Sequence, residues 1–342
     1  MKYLRIILLV SLVTVLTNCN KKNDGGGNST ADKPVNVAVA ASISTDNSGN
    51  VTFTTSADNA VSYEIDFGNG TYQTITNGSV TYKYPVAGTY TVNVTAKSQS
   101  GKTTTKSIQV TVSAIEALIW SDEFDTPGAP DPSKWGYDLG GGGWGNSELE
   151  YYTNRTDNAV VSGGTLKIIA KKEAMGGMNF TSARILTKNK FAFTYGKIEV
   201  KAKLPTGGGS WPAIWMLGAN VDTNPWPGCG EIDIMEHKGN DQNRIFATLH
   251  HPGHSGGNGD GSTVVINDAT QWHVYALEWS AKTLIMSIDG KPFYTFTNAA
   301  SLPFNKDFFI ILNHAVGGTF GGAVDPAFTG GTMEVDYVRV YR

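Results

Sequence analysis

From Val35 onward the chain alternates apolar and polar residues with a period of two. Val35-Val37-Val39, Tyr90-Val92-Val94-Ala96 and Ile108-Val110-Val112 each place apolar side chains on one face, the pattern of half-buried antiparallel strands. Leu166-Ile168-Ala170, Ile198-Val200-Ala202, Leu284-Met286-Ile288, Phe308 to Leu312 and Val335-Tyr337-Arg339 continue it, with Gly, Asn and Asp turns between them. No stretch carries the 3.6-residue period of a long amphipathic helix. So many strands without helices predict an all-β protein of stacked sheets, a jelly roll or similar sandwich in the longer, second part.

One alternating stretch is chemically different. Glu231-Ile232-Asp233-Ile234-Met235-Glu236 puts carboxylates on one face and isoleucines on the other. Like charges on one strand face repel, and burying them costs more, so packing alone does not select the arrangement. Strict alternation sends Glu236 to the isoleucine side; an extra residue at Met235, a β-bulge, returns it to the face of Glu231 and Asp233. Two glutamates flanking an aspartate then form the pair that glycoside hydrolysis needs, one carboxylate to attack and one acid to protonate the leaving oxygen. Four strand residues span roughly 13 Å, so the side chains must lean together on a concave face.

Composition narrows the rest. The chain has 342 residues, enough for two cores, and a formal charge of −3, which shows no basic excess and argues against nucleic acid as a partner. Residues 1–19 read as an export signal: Lys2 and Arg5 precede an apolar run, Ile6 to Leu16, too short to span a bilayer. Leu16-Thr17-Asn18-Cys19 resembles a bacterial lipobox, which makes Cys19 the lipidated residue and the chain an exported outer-membrane lipoprotein facing the periplasm or the cell surface; ordinary signal cleavage and secretion is the alternative. Residues 20–33 read as a glycine-rich tether. Acylated Cys19 leaves Cys229 without a disulfide partner, and Cys229 is expected to be a small buried thiol behind the acids.

Residues 34–113 resemble a PKD domain, an immunoglobulin-like β-sandwich, on Tyr63-Glu64-Ile65-Asp66-Phe67-Gly68-Asn69-Gly70, Val80 to Tyr84 and Gly88 to Val92. No residue set there suggests chemistry, and the domain is expected to be a spacer or to touch carbohydrate. Residues 114–342 resemble glycoside hydrolase family 16 and its laminarinase branch, endo-1,3-β-glucanases with a concanavalin A-like β-jelly roll. The likeness is carried by Trp120 to Phe124, Gly143 to Thr153, Ser182 to Ile185, Trp211 to Gly218, the acidic hexapeptide and Asn313 to Gly318.

That resemblance implies a retaining double displacement on β-1,3-glucan, with Glu231 as nucleophile, Glu236 as general acid and then base, and Asp233 tuning the pair. It places Asn146, Arg184, Trp211, Trp215, Trp226 and His250 on the sugar, and His314 and Thr319-Phe320 as departures that affect the groove's shape. It implies no catalytic cofactor and a structural Ca2+ held by Glu123, Asp336 and the Gly164 carbonyl, hard oxygen donors suited to that ion. Trp120, Trp135, Trp272 and Trp279 are expected in the core, and the chain is expected to be a monomer. Two other readings stand beside this one: a family-16 hydrolase of mixed-linkage glucan or a marine galactan, and a jelly roll that binds glycan without cleaving it.

Overall fold

The structure is a computed structural model that describes residues 32–45, 48–113 and 116–342. The leader, the lipobox with Cys19 and the start of the tether lie outside the described residues. Two compact units divide between Ile115 and Glu116.

In the first unit a 3-stranded and a 4-stranded sheet enclose one core. Alternation works as read: Val92, Val94 and Ala96 of the strand Gly88–Lys97 are fully buried while their neighbours are not. Phe67 stacks on Tyr82 at 3.9 Å, and the Tyr84 hydroxyl donates to the Phe67 carbonyl at 2.9 Å, closing the sandwich at one end.

The second unit is a sandwich of a 10-stranded and a 7-stranded sheet. The smaller sheet runs in the order Asp260–Val265, Arg244–His250, Glu231–His237, Ser210–Gly218, Phe308–Val316, Arg184–Leu186, Gly136–Asp138, antiparallel throughout. Its inner face sends Ile214, Met216, Ile232, Leu249, Ile310 and Leu312 against Ile198, Val200, Leu277 and Met286 of the larger sheet. Because side chains alternate, the opposite face of the same strands is free to form a cleft. Among the described residues, α-helix is confined to one turn, Gly318–Gly321.

Three local expectations need correction. The strand Gly330–Tyr341 does not keep one alternation: its pairing slips at Asp336, so Val335 is followed inward by Val338 and Val340, and Tyr337 and Arg339 turn outward. The slip buries two valines that the uninterrupted pattern exposes. Trp272 is not in the core; it is partly exposed beneath the ammonium groups of Lys203 and Lys201, at 4.7 and 5.5 Å from its ring. Trp135 and Trp279 are buried as expected, and Trp120 packs against Trp135 and Phe191 at the core's margin. His314 does not shape the groove, because it alternates with the cleft-facing Asn313 and points inward; it is fully buried, with Nε2 2.8 Å from the Ser210 hydroxyl.

Candidate active site

The strand Glu231–His237 lies between Ser210–Gly218 and Arg244–His250. Its register pairs Met235 with Ile214 but Asp233 with Trp215, so Ile234 has no opposite number. On the other side Ile234 and Met235 together face Ala247 alone. The bulge therefore inserts Ile234, one residue earlier than expected, and both Ile234 and Met235 enter the core. Glu236 returns to the face of Glu231 and Asp233, and all three line one cleft of about 810 Å3. Gly230 makes the sharp entry to this strand at φ 80°, where a Cβ would stand 2.8 Å from Pro303 and 3.0 Å from Phe308.

The three carboxyl groups are held differently. Glu236 receives the Trp211 indole N–H at 3.1 Å on one oxygen and the Thr248 hydroxyl at 3.4 Å on the other. His250 sits opposite Glu231 in the register, its Nε2 3.2 Å from Asp233 and 3.8 Å from Glu231. Burial raises the proton affinity of all three. For Glu231 the neighbouring Asp233 charge adds to burial, for Asp233 the Glu236 charge adds to it, and for Glu236 the Trp211 bond works against it. Three carboxyl groups this close titrate as a unit, and the differences in what holds each one separate their roles.

Every sugar-contact candidate lines this cleft, but not in one role. Trp226 is 45% exposed and presents a free ring near His250, at 6.0 Å between centroids. Trp215 carries the Arg184 guanidinium 4.6 Å over one face and donates its N–H to Asn313 at 2.8 Å. Arg184 lies between Trp215 and Trp144 and is paired with Asp138 at 2.9 Å. Trp211 is only 8% exposed, so its main contact is Glu236 and not an open stacking face. Asn146 donates to Glu148 at 3.0 Å from a loop in which Trp144 and Ser147 both have positive φ.

Sequence reasoning did not identify what holds the wall behind Asn146. Asn313 donates to the Tyr152 hydroxyl at 2.9 Å, and Tyr152 donates to Glu148 at 3.0 Å, so a buried chain runs from Trp215 to Asn146. Beside it Glu150 is fully buried and accepts the Val316 N–H at 2.6 Å; burial and the adjacent Glu148 push its carboxyl well above the usual range. Alternating polar residues read as an exposed edge, and nothing local shows that partners from residues 313–316 will cover them. Phe320 closes one end of the cleft against Trp211 and Phe246, at 5.2 and 5.0 Å.

Cys229 is a free, fully buried thiol, and burial followed by the Glu231 charge pushes its pKa up, the opposite of a nucleophile's environment. At the proposed calcium position, Gly330–Tyr341 pairs with Thr165–Lys171 up to Val335 and with Leu118–Asp122 from Val338. Asp336 and Tyr337 therefore face the gap between Gly164 and Glu123. The Glu123 side chain is not available as a ligand, because Arg339 holds both its oxygens at 3.0 and 2.7 Å. Asp336 makes only a part-exposed pair with Lys201 at 2.8 Å, the kind of contact worth about 0–1 kcal/mol.

Comparison with known proteins agrees with this geometry. Residues 146–339 match the model of glycosyl hydrolases family 16, and residues 36–112 match the PKD domain. A β-glucanase from Rhodothermus marinus is 45% identical over 242 residues, covering 66% of this chain and 85% of that protein. The laminarinase structure from the same organism superposes with a TM-score of 0.64 at 45% identity, over 66% of this chain and 97% of that one. The catalytic domain of an endo-1,3-β-glucanase from Thermotoga petrophila gives 0.63 at 40% identity, over 66% and 98%. A PKD domain thus precedes a β-jelly roll, and the chain belongs to glycosyl hydrolase family 16.

Proposed function

We propose that the chain is an endo-acting, retaining hydrolase of β-1,3-glucan. The observation that carries this reading is the bulge at Ile234, which brings Glu231, Asp233 and Glu236 to one cleft floor beside exposed and partly exposed indoles. Glu231 attacks the anomeric carbon while Glu236 gives its proton to the glycosidic oxygen, leaving a glycosyl ester on Glu231. Glu236, now ionised, takes a proton from water, and the hydroxide displaces Glu231 with net retention. Asp233, between the two glutamates, helps keep Glu231 ionised for attack while raising the proton affinity of Glu236. The open ring of Trp226 offers a flat apolar face to the C–H side of a glucose unit, and Asn146 and Arg184 offer donors to its hydroxyls.

Purified protein should release laminari-oligosaccharides of β-configuration from laminarin. Glu231→Gln should end turnover while leaving laminari-oligosaccharide binding measurable; full activity in that variant, or α-configured products, would overturn the mechanism. A panel with mixed-linkage glucan and galactan tests the substrate choice separately.

Calcium would be held by the Asp336 carboxylate with backbone carbonyls at Gly164 and Glu123, stabilising the fold and leaving the chemistry to the acids. A chelator should then lower Tm without changing kcat at assay temperature. Export with a lipid anchor on Cys19 and a monomeric state complete the reading; radiolabelled palmitate incorporation that survives Cys19→Ala would refute the anchor.

A further inference from the structure

A second constellation lies on the loop between the strands Arg244–His250 and Asp260–Val265, and glucan hydrolysis has no use for it. His251 and His254 close a tight turn: the His251 N–H donates to the His254 carbonyl at 2.8 Å, and the His254 N–H to the His251 carbonyl at 2.9 Å. Pro252 and Gly253 form its corner, with Gly253 at φ 86°. Proline first and left-handed glycine second is the sequence a type II turn requires, so the backbone under both histidines is set in advance. The imidazoles stack with centroids 4.7 Å apart.

Asp260, the first residue of the next strand, meets both rings. Its carboxylate lies 2.9 Å from His251 Nε2 and 3.0 Å from His254 Nδ1. These ligand atoms all fall within 4.8 Å of one another. His251 is buried against Phe304 and Phe296, whereas His254 is 52% and Asp260 32% exposed, so one side opens to solvent.

Two imidazole nitrogens and one carboxylate oxygen are a donor set for borderline divalent ions, not for calcium or magnesium, which take oxygen. Tetrahedral bonds of about 2.0–2.1 Å set ligand atoms roughly 3.4 Å apart. His251 Nε2 meets Oδ2 of the carboxylate at 2.9 Å and His254 Nδ1 meets Oδ1 at 3.0 Å, both inside that spacing by roughly half an ångström, so a small outward shift of the rings seats an ion that takes one or both oxygens. An ion would replace the two histidine–aspartate hydrogen bonds, each ring keeping its proton on the other nitrogen.

We infer that His251, His254 and Asp260 form a three-ligand site for a zinc-class divalent ion, with water completing the coordination. The loop's Gly256, Gly257 and Gly259 line the substrate cleft, so the ion fixes one wall of the cleft from outside it.

The test uses purified full chain, stripped by chelator and dialysed, then titrated calorimetrically with Zn2+ alone and spectroscopically with Co2+ alone. One equivalent should bind per chain, with a visible Co2+ absorption band. His254→Gln changes a half-exposed side chain and should leave folding intact while weakening the affinity at least about tenfold. Asp260→Asn should do the same, and Glu231→Gln should leave the affinity unchanged. Absence of a stoichiometric site, binding that survives His254→Gln, or binding lost in Glu231→Gln would overturn the assignment. The readout is metal binding, so its failure leaves the hydrolase reading standing.

Discussion

Burial raises the proton affinity of the proposed general acid Glu236 and the Trp211 indole holds it back, an effect that Trp211→Phe isolates. The substitution keeps an aromatic ring against Phe320 but removes the N–H that reaches Glu236 at 3.1 Å. A hydrogen bond to a charged group is worth about 1.5–3 kcal/mol, and one pKa unit corresponds to about 1.4 kcal/mol. Donation favours the carboxylate, so its loss should raise the affinity of Glu236 for its proton by roughly one to two units. Thr248 does not compensate, since its contact at 3.4 Å is already long. The acid must be protonated to work, so the alkaline limb of the kcat/KM profile on laminarin should move up by that amount. The acidic limb lies where Glu236 is already protonated with or without the indole, so it should stay in place. Weaker glucan binding in the absence of the indole displaces the whole profile vertically and leaves its limbs where they were. An alkaline limb that stays put, or moves down, would refute the assignment of Glu236 as acid under Trp211's control.

Three further outcomes follow from the same geometry. Deleting Ile234 removes the bulge and leaves Met235 alone between Asp233 and Glu236, so regular alternation keeps all three acids on the cleft face and laminarin turnover should persist; loss on the order of 10^3-fold, the scale of a missing general acid, in a deletion variant with native circular dichroism would contradict this. Burial pushes His314 down to about 3, so on acidification the unfolded chain takes up its proton first and stability is lost between about pH 6.5 and 3. By about pH 5 that loss is about 2 kcal/mol, and urea unfolding of His314→Leu should show a correspondingly smaller drop between neutral pH and pH ~5, even though the orphaned Ser210 hydroxyl lowers its neutral stability by about 1–3 kcal/mol. Cys229, buried and held as the thiol, should resist iodoacetamide in the native protein and label only as fast as the chain opens; rapid native labelling would mean the region behind the acids is not packed as described.

Strand positions and the carboxylate face were legible because periodicity reports burial directly, and two alternating apolar faces meeting imply a sandwich. Shared motifs carried Asn146, Arg184 and His250 to the cleft. What periodicity does not encode is the identity of a cross-sheet partner. Glu148, Glu150 and Tyr152 read as a polar edge, yet they are buried because Asn313 and the Val316 N–H cover them from more than 160 positions away. The same blindness applies to bulges. At Asp336 an extra residue exchanges the faces of everything after it, and a local pattern containing Tyr337, Val338, Arg339 and Val340 reads plausibly in either register. Trp211 illustrates a third limit, since composition marks an indole as a sugar platform and cannot show that its N–H is already committed to Glu236.

The acid strand answers why such a cluster is tolerated at all. One buried and two half-buried carboxyl groups oppose folding, and desolvation raises each one's proton affinity as the measure of that cost. On the other face Ile232, Ile234 and Met235 are buried in the core, each contributing about 1.5–3 kcal/mol of apolar burial. A slip of one residue would exchange the two faces, exposing Ile232 and driving Glu231 and Asp233 into the core. The register that stabilises the sheet is therefore the register that assembles the acids, and the bulge serves both, because leaving Ile234 unpaired sends Met235 into the core in the same step that keeps Glu236 on the cleft face.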